Sequence, residues 1–374
     1  MESEITISFV GDLCPINKVQ DLFTGDNSKI VYGDVLNEFN QSNYVVANLE
    51  CPLTSNIQKI KKVGPNLKAN PSCIDGIKNG NINVLTLANN HIMDYGAEGL
   101  METIKLCDEK EILTVGAGDN IDTASKPLIL VYNNKRIAIL NFCEDEFSTT
   151  HNDLPGTAPI DCLLNLKSIR EANAQSDYLI IVVHGGSEHF ELPNPFIRQT
   201  FRYYAELGAD VVIGHHTHCF SGYEVYNNSH LFYGLGNFLF DYHHNDNQNW
   251  NLGLLLKLTI KDTITFRIVP FVQERNDTVR LRFLNDDENI VFQKRLEYLN
   301  SCLTDNDKYS MEWLTFVDLR RKDYLSRLLS YNNITKKIVK VLGLYRFTTN
   351  NQRLFLKNYF TCQSHNEVMK TILK

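Results

Sequence analysis

The chain has 374 residues, enough for two or three domains of ordinary size. Its composition is 43% apolar and 22% charged with 20 glycines and 10 prolines, which excludes collagen-like and low-complexity chains. The net charge of −7 conceals an asymmetry: residues 1–275 carry 20 Lys and Arg against 33 Asp and Glu, whereas residues 276–374 carry 17 against 11, so the acidic larger part is no nucleic-acid binder.

The first segment, MESEITISFVGD, has no basic n-region and no apolar h-region, so no signal peptide is expected. No stretch reaches the roughly 18 uninterrupted apolar residues that a membrane helix needs. Nine cysteines without a repeating spacing predict reduced thiols and a cytoplasmic setting. Short β-branched runs predict strands at 5–10, 44–48, 84–88, 136–142, 178–183 and 211–213. Helical patterns fall between them, at 97–109, 163–174 and 195–207. This alternation predicts an α/β sandwich. After residue 227 strand pairs are expected at 230–233, 252–260 and 265–269, and from about 287 the pattern is helical to the C-terminus. We therefore expect a domain over 1–275 and a basic helical extension over 287–374, with no internal repeat.

Metal-ligand residue types cluster just beyond the predicted strand ends. Asp12 follows the first strand and Glu50 the second; Asn90, His91 and Asp94 follow the third. His184 ends the strand at 178–183, with Glu188 beyond it, and His215, His216 and His218 follow 211–213. In an open α/β sheet, ligands collect at the carboxyl ends of strands, so these groups are expected to share one crevice. Imidazole and carboxylate together suit two divalent ions of the Mn, Fe or Zn type. Taken one at a time, the same residues have plainer roles: a strand-end Asp caps helices or forms turns, and a lone His is usually a satisfied polar group. Three imidazoles within four residues have little structural purpose.

The ordered segments GDLCP (11–15), NLECPLT (48–54), LANNHIMDYG (87–96), HGGSEHF (184–190), GADVVIGHHTH (208–218) and YGLGNFLFD (233–241) resemble the motif series of the CapA family. That family is named for poly-γ-glutamate capsule biosynthesis and is similar in fold to the calcineurin-like metallophosphoesterases. The resemblance spans residues 4–272 and implies a metallophosphoesterase-like α/β sandwich, with the helical extension outside it. It implies Asp12 and His218 on one metal, Glu50 bridging, His184 and His216 on the second, and Asn90 as a further ligand. By the same resemblance His91 is the acid that protonates a leaving oxygen; Asp94, three residues on, either orients it or caps a helix. His215, Glu188 and Asn237 are candidate substrate contacts, Asn237 within a segment that equally reads as a plain turn. Two departures stand out. Cys14 occupies the place of the first-motif histidine, and Gly185 the place of a frequent tryptophan.

The implied activity is a metal-dependent phosphoester hydrolysis linked to capsule or exopolysaccharide synthesis, on a phosphorylated or polymeric small substrate. Two alternatives remain open: an amide or glycan hydrolase acting on a polymer, and a non-catalytic subunit of a capsule assembly machine. The segment 334–347, ITKKIVKVLGLYRF, has apolar residues at helical spacing among lysines. It packs on neighbouring helices or lies on an anionic membrane surface, packing being the simpler reading. Other capsule biosynthesis proteins are the expected partners.

Overall fold

The computed structural model describes residues 4–24, 28–242, 248–275, 278–328 and 350–373; the segment 334–347 lies outside them. Sixteen strands are present among these residues: β1 (Ile5–Cys14), β2 (Tyr44–Leu49), β3 (Val84–Thr86), β4 (Leu113–Val115), β5 (Ala117–Gly118), β6 (Leu128–Tyr132), β7 (Lys135–Cys143), β8 (Gly156–Thr157), β9 (Tyr178–His184), β10 (Val211–His215), β11 (Tyr223–Tyr226), β12 (Ser229–Phe232), β13 (Asn237–Phe240), β14 (Leu252–Ile260), β15 (Ile264–Arg275) and β16 (Val279–Phe283). They form two main sheets. The first runs β16-β15-β14-β1-β2-β3-β4, with β13 also paired to β1; the second runs β11-β12-β10-β9-β7-β6. β5 and β8 make a separate two-stranded ribbon. The expected α/β sandwich with a helical C-terminal segment is what the chain forms.

The pleat explains the layering. Along β2, Val45, Ala47 and Leu49 join the apolar cluster formed with the helices Asn17–Phe23, Val35–Asn40 and Cys73–Asn79, whereas Val46 faces the cluster between the sheets. Ile5, Ile7 and Phe9 of β1 meet Ile139, Ile181 and Ile213 of the second sheet in that same inner cluster. The helices Cys162–Asn173 and Pro195–Glu206 cover the second sheet through Ile169, Ala172, Phe201 and Tyr204. Both start at capping residues, Asp161 and Asn194, and the second has Pro195 in its first turn, where a missing N–H costs nothing. The sequence pattern located these helices to within a residue or two. The short helices between residues 17 and 40 carry too few turns for a periodic signal and were not foreseen.

β1, β2 and β3 are mutually parallel, as are β7, β9 and β10, so their carboxyl ends gather at one rim. Asp12 stands opposite Asn48 of β2 and Asn237 of β13, and His215 opposite His184. The register of β1 slips beside Asp12 against both of its parallel neighbours, a bulge that re-aims the side chain at the strand end. Gly11 is required here: a β-carbon would lie 1.8 Å from the carbonyl oxygen of Gly236. The segment 236–238 is thus the entry to strand β13 and not a free turn.

The C-terminal helices Asp286–Thr304, Asn306–Leu328, Asn350–Thr361 and Gln363–Ile372 pack on the sandwich. Trp313, Val317, Val368 and Ile372 join the inner cluster, and the Arg198 guanidinium donates to the carbonyl of Leu303 at 2.6 Å. All nine cysteines are free thiols. No helix among the described residues is long and apolar enough to cross a membrane.

Candidate metal centre

Five strand ends deliver buried polar groups to one point. Asp12 and Glu50 are both fully buried. The Asp12 carboxylate accepts from Asn48 Nδ2 at 2.7 Å and from the His216 backbone N–H at 3.2 Å. Its second-nearest groups are imidazoles: His218 Nδ1 lies 3.5 Å from Oδ2 and His215 Nδ1 3.6 Å from Oδ1. Glu50 Oε1 lies 3.5 Å from His184 Nε2 and 3.8 Å from His218 Nε2, yet neither of its oxygens has a hydrogen-bond partner. His184 Nε2 in turn lies 3.1 Å from Asn90 Oδ1 and 3.1 Å from His216 Nδ1.

Two donor triads result, Asp12–Glu50–His218 and Glu50–His184–His216, each with its donor atoms within 4.8 Å of one another, and Glu50 belongs to both. Burial, reinforced by the Asp12 and Glu188 carboxylates, pushes Glu50 well above the usual carboxylate range. Burial also raises Asp12, against the pull of His218 and Asn48. His184 is held down by burial and by its histidine neighbours, His218 by burial, and His215 is lowered by burial to about 3. Neutral imidazoles with free lone pairs are the form in which histidine binds metal. The orphaned Glu50 oxygens and the mixed N/O donor set both fit divalent ions of the first transition row. The loop after β10 holds this arrangement under strain: His216 and His218 have φ of 92° and 55°, a left-handed region costing about 1–3 kcal/mol per residue and met mainly at functional sites.

The other sequence-predicted residues take distinct places. His91 Nδ1 lies 2.7 Å from Asp94 Oδ2, and that fully buried carboxylate also pairs with Lys62 and accepts from the Leu67 backbone N–H at 2.6 Å. Lys62 Nζ is itself 3.0 Å from His91 Nδ1. Glu188 is exposed and lines the cavity above the donors. His215 and Asn237, expected from the sequence to contact substrate, do not line that cavity. Asn237 Oδ1 lies 2.9 Å from His218 Nδ1 while its amide donates to the Trp250 carbonyl at 3.1 Å, so it fixes the ring of His218. Cys14 is in neither triad. Its thiol lies in the outer apolar cluster beside Cys51 and is pushed well up by burial, then by Cys51 and Glu50.

Sequence reasoning missed several members. Asn48 bridges Asp12 and His184, the latter at 3.2 Å. Glu146 Oε2 accepts from Asn90 Nδ2 at 2.8 Å and so orients that amide. Burial would raise Glu146, but the hydrogen bond and charge of His365 outweigh it and hold this carboxyl well below its usual range. The strand-end rule, applied to the strand predicted at 136–142, points to 144–146 and would have found it. No local signal marks the cavity wall contributed by the C-terminal helices. There Asn358 Nδ2 donates to Glu146 Oε1 at 3.1 Å, Ser364 N donates to Glu144 Oε2 at 2.9 Å, and Tyr324 Oη lies 2.6 Å from His365 Nδ1. The cavity enclosed between this wall and the donors has a volume of about 390 Å³.

Fold and site together define an α/β sandwich whose strand ends converge on a cluster of metal-capable groups. The family model for bacterial capsule synthesis protein PGA_cap matches residues 6–242, and the chain belongs to that family. It is 34% identical over 244 residues to the PGA biosynthesis protein CapA of Bacillus subtilis (strain 168), covering 63% of this chain and 63% of that protein. It is 31% identical over 249 residues to the capsule biosynthesis protein CapA of Bacillus anthracis, covering 64% and 60% respectively. The chain thus spans less than two thirds of the length of these curated relatives. A solved phosphatase from Mycoplasma pneumoniae overlaps 73% of this chain and 95% of its own at 14% identity and a TM-score of 0.44, a loose likeness.

Proposed function

We propose that the chain is a metal-dependent hydrolase, a phosphoesterase working with two divalent ions (Mn, Fe or Zn) in capsule or poly-γ-glutamate synthesis. The observation that carries this reading is Glu50: a fully buried carboxylate with both oxygens unpartnered, shared by two donor triads. Asp12, Glu50 and His218 would hold one ion; Glu50, Asn90, His184 and His216 the other. When bound, such ions supply Lewis acidity, lowering the pKa of a water and offsetting charge on phosphoryl oxygens. The protein's own part is positioning and proton transfer. Asn48 and Asn237 fix the donors Asp12 and His218, and Glu146 fixes Asn90. His91, half-buried on the cavity with its Nδ1 against Asp94, presents Nε2 as the group that protonates the leaving oxygen. The Asp94–Lys62 pair sets the local charge around that imidazole. The names of the relatives support a capsule or polyglutamate setting for the substrate.

Metal content by elemental mass spectrometry and turnover of bis-p-nitrophenyl phosphate, measured on one Mn-supplemented sample, test the reading. About two equivalents with turnover, both lost in His216→Ala, is the expected result. Metal without turnover moves the assignment to amide or glycan hydrolysis, to be assayed on poly-γ-glutamate and capsule fragments. Neither metal nor turnover leaves a non-catalytic assembly subunit.

A further inference from the structure

The cavity above the donors is larger than one phosphate group requires; about 390 Å³ falls in the range that encloses most of a small molecule. Its lining carries four cationic or potentially cationic groups outside the triads, and three of them are already matched. Lys62 pairs with Asp94, His91 with Asp94, and His365 lies 3.6 Å from Glu146. The fourth is Arg320, on the helix Asn306–Leu328. It is half-buried and makes no hydrogen bond or ion pair with the described residues, and its guanidinium rests over the ring of Phe316 at 5.5 Å. Tyr324, one turn further along, has its hydroxyl committed to His365 and offers Arg320 no carboxylate. Glu188, the exposed acid on the lining, makes no ion pair with Arg320.

A guanidinium held against an aromatic ring inside a cavity, with none of its five N–H donors spent on a described residue, is built for a planar oxyanion. Arginine binds carboxylate and phosphate in a two-point fork, and stacking on Phe316 holds the fork in place without using its donors. We propose that Arg320 is a specificity residue that recognises a second oxyanion on the substrate, a carboxylate or phosphate, remote from the phosphoryl group held beside Asn90 and His216. This inference rests on the phosphoesterase reading above. It makes the substrate an anionic phosphoester with a negative group at each end, and it gives the C-terminal helices a part in selecting it.

The test is calorimetric binding to the full chain in Mn²⁺ of three non-hydrolysable probes: phenylphosphonate, 4-carboxyphenylphosphonate and 1,4-phenylenediphosphonate. The wild-type protein should prefer at least one doubly anionic probe over phenylphosphonate by about tenfold, the scale of a charge-assisted hydrogen bond. Whichever of the two gains more identifies carboxylate or phosphate as the natural group. Arg320→Ala should shrink that preference to under about twofold, and Arg320→Lys should keep part of it, since lysine retains the charge but not the fork. No preference in the wild-type protein, or a preference that survives Arg320→Ala, overturns the assignment of Arg320 and leaves the phosphoesterase reading standing. Failure of all three probes to bind, with no turnover of phenyl phosphate, overturns both.

Discussion

Glu50→Gln offers a test whose sign runs against the usual expectation for a buried charged residue. In the metal-free chain, Glu50 is fully buried, has no hydrogen-bond donor on either oxygen, and sits near a second buried carboxylate, Asp12. Each unsatisfied buried polar group costs about 1–3 kcal/mol. The amide is isosteric and neutral, so the metal-free variant should be as stable as the metal-free wild type, or more stable by about 1–3 kcal/mol. With a divalent ion at a hundred times its Kd, the wild-type protein should gain about 2.7 kcal/mol by mass action. At about 2.1 cal/mol/K per residue, a chain of 374 residues unfolding as one unit shifts its midpoint by about 1.3 °C per kcal/mol, so the gain should read as about 3–4 °C. Glu50→Gln should lose most of it. The assay is thermal unfolding of both proteins, once after chelation and once in excess Mn²⁺. A chelated variant several degrees less stable than chelated wild type would show that Glu50 is satisfied within the fold, and an undiminished Mn²⁺ shift would remove it from the donor set.

Asp94→Asn removes the carboxylate that faces His91 Nδ1 while leaving both triads intact; metal content should be unchanged and kcat should fall by up to about 10²–10⁴-fold, the contribution of a general acid, and full turnover would free the pair from any catalytic role. Because this change also leaves the buried Lys62 unpaired, Lys62→Met in the same background is expected to restore stability without restoring kcat. At the start of the helix Asp286–Thr304, Glu288 completes a capping box with Asn285 and forks onto Arg282, which holds its carboxyl down at about 2. A depressed folded-state pKa means that the stabilisation is present above the ordinary carboxylate pKa and is lost as pH falls toward 2. The pair is largely exposed, so Glu288→Gln should cost under about 1 kcal/mol at pH 7, with the difference from wild type vanishing by about pH 2 in acid-titration unfolding curves.

The proposed donors were legible in the sequence because each sits one to five residues past a β-branched run, and a parallel strand's carboxyl end is a local, readable feature. Asp12 after 5–10, Glu50 after 44–48, His184 after 178–183 and His216 and His218 after 211–213 are of this kind. Which of them share a centre is a matter of sheet order. Only the pairing of β1 with β2 and β13, and of β10 with β9, sets Asp12 beside Asn48 and Asn237 and His215 beside His184. The same order sends Cys14, one alternate position beyond Asp12, into the apolar layer with Cys51, and sets His215 against the Asp12 carboxylate.

Farther contacts left no trace in the pattern at all. Glu146 meets Asn358 and His365 across more than two hundred residues, and Arg320 reaches the cavity from a helix whose own periodicity says only that one face is buried. Periodicity reports which face of an element turns inward. It carries no information on which distant element meets that face, because that choice belongs to packing of the whole chain. Sequence alone therefore determined the α/β sandwich and the strand-end residues proposed as donors. Tertiary structure alone decided their grouping around Glu50, and made the C-terminal helices a wall of the same cavity.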